Sequence, residues 1–267
     1  MKSIYKFLIF STILLVSCSK YEKLLKSTDS ELKYRKAIEL YNNEDYIKAS
    51  TLFEQIAFAF RGSNKSDSVA WYLAMSFYKQ GDYITAGESF KDLSKTYQRS
   101  IFVEESEYLY GYCFYLISPR PSLDQESTVA GIDAFKYFMY KYPESKYVAD
   151  CKRLILELQN KLIEKQYANA KLYFNLGEHN PIYYKASVIA LRNCIANYPD
   201  TKYREEIMFM ILQSNYFFAQ KSVVNKQKER YQTTMDEYYS FQSEFPESKY
   251  TEKANKIYSN SKEFLGL

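Results

Sequence analysis

The chain has 267 residues, of which only 7 are Gly and 6 Pro, while 29 are Tyr, 18 Phe and 1 Trp. So few turn-formers exclude the many tight hairpins of a β-sandwich or barrel and the glycine-rich loops that cradle phosphates, and a hydrophobic share of 46% excludes disorder. Thirty-six Lys+Arg against 32 Asp+Glu leave +4, too slight an excess for a protein that grips nucleic acid through its phosphates.

The first element in chain order is a targeting segment. Met1 to Lys6 is short and basic, and Phe7 to Val16 is an apolar run of ten residues, too short for the roughly 20 residues that span a bilayer. A short apolar run behind a positive start reads as a secretory signal. Its end, Leu15-Val16-Ser17-Cys18, resembles the bacterial lipobox, in which the Cys becomes the acylated mature N-terminus. Residues 1–17 are therefore expected to be a signal peptide, and 18–30 a tether carrying covalent lipid on Cys18. Several acyl chains anchor stably where one binds only marginally. Ser19 after the Cys resembles lipoproteins sent to the outer membrane, and Ser19 to Lys23 has no acidic cluster that would favour the cell surface.

Helical repeats follow. The clearest runs from Trp71 to Leu93, with Ala74 and Phe77 on a first helix, a Gly81-Asp82-Tyr83 turn, then Ala86, Phe90 and Leu93 on a second. This looks like a tetratricopeptide repeat (TPR), where small residues let two helices approach and large ones fill the flanking groove. The spacing recurs around Ala37 and Ala49, around Gly111 and Gly131, around Ala170 and Ser187, and, most degenerate, around Leu212 and Phe241. The third unit carries a long loop, Ser118 to Gln125, and the fourth an insertion at His179-Asn180-Pro181. Each unit closes on an aromatic followed three residues later by a hydroxyl: Phe60/Ser63, Tyr97/Ser100, Tyr142/Ser145, Tyr198/Thr201 and Phe245/Ser248. The hydroxyl is expected to cap the next helix. The pattern predicts an all-α TPR-like superhelix of about five helix pairs plus a closing helix near Thr251–Phe264. Units one to three would span 31–145, and units four and five with the closing helix 146–267.

Signals for chemistry are sparse along these repeats. The single histidine, His179, sits in a loop without ligand or triad spacing, and Cys113, Cys151 and Cys194 form no CxxC. Lys221, Lys226, Lys228 and Arg230 read as a solvated inter-helix loop rather than a phosphate site. We expect no metal, no cofactor beyond the Cys18 lipid, and no enzymatic activity.

Three positions on each first helix, counted from the small residue as three before, one after and four after, are expected to face the inner surface of the superhelix. They are Tyr34, Ile38 and Tyr41; Trp71, Met75 and Tyr78; Tyr108, Tyr112 and Tyr115, with Arg35 and Tyr72 at the edge. One reading makes these rings ordinary helical core. The other makes them a peptide-binding groove, because Tyr offers a large apolar face together with a hydroxyl.

The lipobox, the five units and the closures Tyr-Pro-Glu-Ser-Lys-Tyr, Tyr-Pro-Asp-Thr-Lys-Tyr and Phe-Pro-Glu-Ser-Lys-Tyr together resemble the BamD family, lipoproteins of the outer-membrane β-barrel assembly machinery. The stretch Tyr167 to Gly177 with Tyr184 to Ser187 is especially similar to that family's fourth repeat. The resemblance implies a scaffold at the periplasmic face of the outer membrane. Its C-terminal repeats would hold the barrel-forming assembly protein (BamA-like), and its N-terminal repeats would receive unfolded outer-membrane proteins. The long third-unit loop, the fourth-unit insertion and the degenerate fifth unit depart from the family pattern. A different TPR lipoprotein of the envelope, such as a SusD-like glycan binder, is the alternative, since rings also stack on sugars; SusD-like chains are usually much longer.

Overall fold

The structure, a computed structural model, describes residues 20–267. The signal segment and Cys18 lie outside the described residues. Among the described residues every regular element is helical. A short helical stretch at 20–25 precedes α1 (Ser30–Asn42), α2 (Tyr46–Ala57), α3 (Ser66–Gln80), α4 (Tyr83–Thr96), α5 (Val103–Ile117), α6 (Glu126–Lys141), α7 (Val148–Leu176), α8 (Ile182–Asn197), α9 (Arg204–Gln220), α10 (Val224–Glu244) and α11 (Thr251–Leu265). That makes five TPR-like helix pairs and a closing helix. None of the described helices is long and apolar enough to cross a membrane.

The chain forms two compact units. One runs to Pro119 and resumes from Asp124 to Leu158; the other comprises Arg120–Leu123 and Gln159–Leu267. The division falls inside α7, whose 29 residues contain neither Gly nor Pro to interrupt them.

In the first unit each helix from α1 to α5 packs on its successor. Small residues sit where helices cross. Ala37, Ala49, Ala74 and Ala86 are fully buried, and a Cβ on Gly111 would lie 2.9 Å from the Phe135 ring. Phe53 and Phe90, also fully buried, fill the space beside these crossings. In the second unit α8 packs on α9, α9 on α10 and α10 on α11. Ile163, Ala170, Leu191, Cys194 and Ile207 form one core there, and Leu212, Phe241 and Ala254 another. At Gly177 a Cβ would meet the Tyr184 ring at 2.5 Å.

Turn chemistry follows from local residues. Gly81 takes φ +82°, ends α3 and donates to Phe77 and Tyr78 carbonyls, and the Asp82 carboxylate then accepts from Thr85 N–H at 3.1 Å to start α4. The same geometry recurs one repeat earlier, but with Glu44 at φ 62° in glycine's place and Asp45 as the cap.

Two expectations are corrected. The closure hydroxyls do not cap the next helix directly. Ser63, Ser100, Ser145, Thr201 and Ser248 each accept from the N–H two residues on, and where the following helix has a described cap, that receiving residue is the cap. A hydroxyl turn thus sets the chain direction before the helix begins. The basic stretch Lys226, Lys228 and Arg230 is also not a loop: α10 starts at Val224, so the connection from α9 is only Lys221–Val223. Lys, Gln, Glu and Arg in that stretch are good helix formers.

Candidate functional site

The candidate ring set lies wholly in the first unit, on α1, α3 and α5, and its three positions behave differently. At the position three before the small residue, each ring packs on the residue just after the following closure. Lys65 Nζ stands 5.0 Å over Tyr34. Trp71 stacks on Phe102 at 5.0 Å and 11°, and Tyr108 on Tyr147 at 4.2 Å and 11°. The second unit repeats the device with Tyr167 on Tyr203 at 5.5 Å and Phe209 on Tyr250 at 4.4 Å. Trp71 is 9% exposed and also packs on Phe90. It therefore belongs to the core between repeats, not to an open groove, and Tyr34 and Tyr108 each give a ring face to the same kind of staple.

Hydroxyls reinforce these staples. Ser100 donates to Asp67 at 2.7 Å, Ser145 to Glu104 at 2.6 Å and Ser248 to Glu205 at 2.5 Å. Each ties a closure to the first turn of the preceding first helix. The sequence signal for this was the aromatic two residues after the hydroxyl, at Phe102, Tyr147, Tyr203 and Tyr250. It is periodic, yet its partner lies far away in sequence.

The other two positions remain half-buried: Ile38 and Tyr41, Met75 and Tyr78, Tyr112 and Tyr115. Tyr41 sits edge-on to Tyr46 at 5.4 Å and to Tyr72 at 5.1 Å, which joins α1 to α3. Tyr72 itself stacks on Phe53, while Arg35 is exposed. Tyr112 lies between Tyr108 at 5.8 Å and Tyr115 at 5.5 Å, both nearly parallel to it. With Tyr147 this makes a ladder of four rings. Burial pushes the phenols of Tyr41 and Tyr78 up to about 12, with neighbouring tyrosines adding to the rise, Tyr112 among them for Tyr78. Both are therefore neutral hydrogen-bonding hydroxyls at any physiological pH.

An acidic edge closes the ladder. The Tyr108 hydroxyl donates to Asp150 at 2.5 Å and the Tyr115 hydroxyl to Glu157 at 2.7 Å. Arg153 lies between the two carboxylates, 3.1 Å from Asp150 through Nε and 2.5 Å from Glu157 through one terminal nitrogen. Burial pushes the Asp150 carboxyl up, but the bonds from Tyr108 and Arg153 outweigh it and hold it below the usual range. For Glu157 the Tyr115 hydroxyl is the main cause of a lowered value. The face thus offers flat apolar rings, neutral hydroxyls and a fixed anionic edge. It suits an extended peptide with apolar or aromatic side chains.

Cys113, Cys151 and Cys194 are buried and free, and burial raises the thiols of Cys113 and Cys151 to about 12, so they act as small apolar core residues. His179 is exposed in the turn after α7.

A family model described as YfiO, outer membrane lipoprotein, matches residues 26–216. A relative from Rickettsia prowazekii (strain Madrid E), named outer membrane protein assembly factor BamD, is 23% identical over 181 residues, which is 68% of this chain and 70% of the relative. Among solved structures, the TPR2AB-domain:pHSP90-complex of yeast Sti1 aligns with a TM-score of 0.41 at 11% identity, over 87% of this chain and 98% of that one.

Proposed function

The chain belongs to the YfiO family of outer membrane lipoproteins, and from that premise we propose that it is a non-enzymatic scaffold for assembling outer-membrane proteins. It is held through acylated Cys18 and faces the periplasm. Its first unit receives segments of unfolded outer-membrane proteins, and its second unit holds the barrel-forming assembly protein. The name of the Rickettsia relative supports the assembly role.

The observation that carries the substrate reading is the half-buried ring face of α1, α3 and α5. Its six residues at the two open positions include four tyrosines, and rigid aromatic faces with hydroxyls bind extended peptides at low entropic cost. The test is affinity for a peptide copied from the C-terminal strand of an outer-membrane barrel. Tyr78→Ala combined with Tyr112→Ala is expected to weaken binding by about 2 kcal/mol or more. Tyr78→Phe with Tyr112→Phe, which keeps the rings, is expected to lose about 1 kcal/mol for each hydroxyl that bonds the peptide. Unchanged affinity in a folded alanine double variant removes the substrate reading.

A further inference from the structure

The described N-terminal segment is not a free string. Tyr21, Leu24 and Leu25 pack against the α1–α2 core, and the Tyr21 hydroxyl donates to the Lys48 carbonyl at 3.1 Å. Lys33, 8% exposed, donates to the Leu25 carbonyl at 2.9 Å and to Gln55 at 2.7 Å. A buried ammonium spent on a carbonyl of this segment fixes its path. The segment runs beside the Leu32–Leu40 edge of α1, across that helix from Tyr34, Ile38 and Tyr41.

Docking in this way leaves a cleft of about 550 Å³ between the segment and α1. Leu24, Leu32 and Leu40 contribute apolar walls, while Lys20, Lys23, Lys36 and Lys48 supply four cations, faced by the carboxylates of Glu39 in the lining and of Asp45 beside Lys48. Lys36 pairs with Glu39 and Lys48 with Asp45, both at 2.5 Å and both with the ammonium side chain more than 40% exposed. Such exposed pairs contribute little to stability. The position of the cleft matters as much as its chemistry. One residue, Ser19, separates Lys20 from Cys18, so the chain between them can span at most about 7 Å.

We propose that this cleft holds an anionic phospholipid of the membrane that carries the Cys18 anchor, with the headgroup phosphate at the lysines and the upper acyl carbons against the leucines. The site rests on the reading of Cys18 as acylated. Each lysine near an anionic bilayer surface adds attraction that falls away within a Debye length, and of these four Lys20 is the nearest in sequence to the anchor. Binding there fixes which side of the first repeat meets the membrane and leaves the ring face of α1 turned from it.

The test uses the full mature chain reconstituted into phosphatidylcholine vesicles, with and without phosphatidylglycerol. Lysine acetylation is then followed site by site by mass spectrometry. Lys20, Lys23 and Lys36 are expected to react about fivefold more slowly in the anionic vesicles, while Lys253 and Lys256 on α11 react alike in both. Equal rates at Lys20, Lys23 and Lys36 in the two compositions overturn the proposal, whether those rates are fast or uniformly slow, because neither result reports headgroup charge. Flotation with both vesicle types, together with the mass of the peptide beginning at Cys18, reads the anchor separately. A chain that carries no lipid and floats with neither composition overturns the anchor and this site together.

Discussion

At the scale of single residues, Glu44 shows where local chemistry and repeat geometry conflict. It holds φ 62° at the position where the next repeat uses Gly81 at φ +82°. A left-handed backbone costs an ordinary L residue about 1–2 kcal/mol, and glycine's greater freedom in the unfolded chain returns about 0.4–1 kcal/mol of that gain. Glu44→Gly is therefore expected to stabilise the protein by about 0.5–1 kcal/mol, seen as a higher urea midpoint at unchanged slope. A lower midpoint would mean that the Glu44 side chain supports the turn. Gly81-Asp82-Tyr83 was legible as a turn because both requirements, positive φ and a capping carboxylate, are written in adjacent letters. At Glu44 only the register with Asp45 and Tyr46 reveals the same turn.

Among elements, stability between repeats depends on the ring staples and their hydroxyl ties. Tyr147 stacks on Tyr108 and lies edge-on to Phe138 at 6.2 Å, so its ring bridges α5, α6 and the start of α7. Tyr140, on α6, is 86% exposed. Tyr147→Ala is expected to cost about 2–3 kcal/mol, and Tyr140→Ala less than about 0.5 kcal/mol, both measured by urea unfolding of the whole chain. Equal losses would show that aromatic content, not this contact, holds neighbouring repeats together. The Ala and Gly crossings were legible because each helix carries its own small residue. The staples were not, because a ring at Trp71 or Tyr108 looks the same in sequence whether it faces a ligand or the cap of the next repeat. Only the recurrence of Phe102, Tyr147, Tyr203 and Tyr250 hints at the pairing. The length of α7 was hidden for a different reason: the closure before it resembles every other boundary, and no breaker marks where one helix serves two units.

Within each unit, stacked helix pairs offer long faces, which suits a protein that holds other chains. The first unit carries the half-buried phenols of α1, α3 and α5 with the Asp150–Arg153–Glu157 edge. The second carries its own core and a more polar helix, α10. Membership in the YfiO family gives the envelope setting, and among the described residues the surplus of rings noted in the composition goes to repeat cores, staples, the half-buried face of α1, α3 and α5, and exposed rings such as Tyr137, Tyr140 and Tyr239. The proposed role as an assembly scaffold requires a barrel-forming partner. Purification of the tagged full-length protein from detergent-solubilised outer membranes, with identification of what co-purifies in stoichiometric amount, tests it most directly. Recovery of a large outer-membrane β-barrel protein bearing periplasmic domains is the predicted result, and recovery of a glycan transporter in its place would contradict the account.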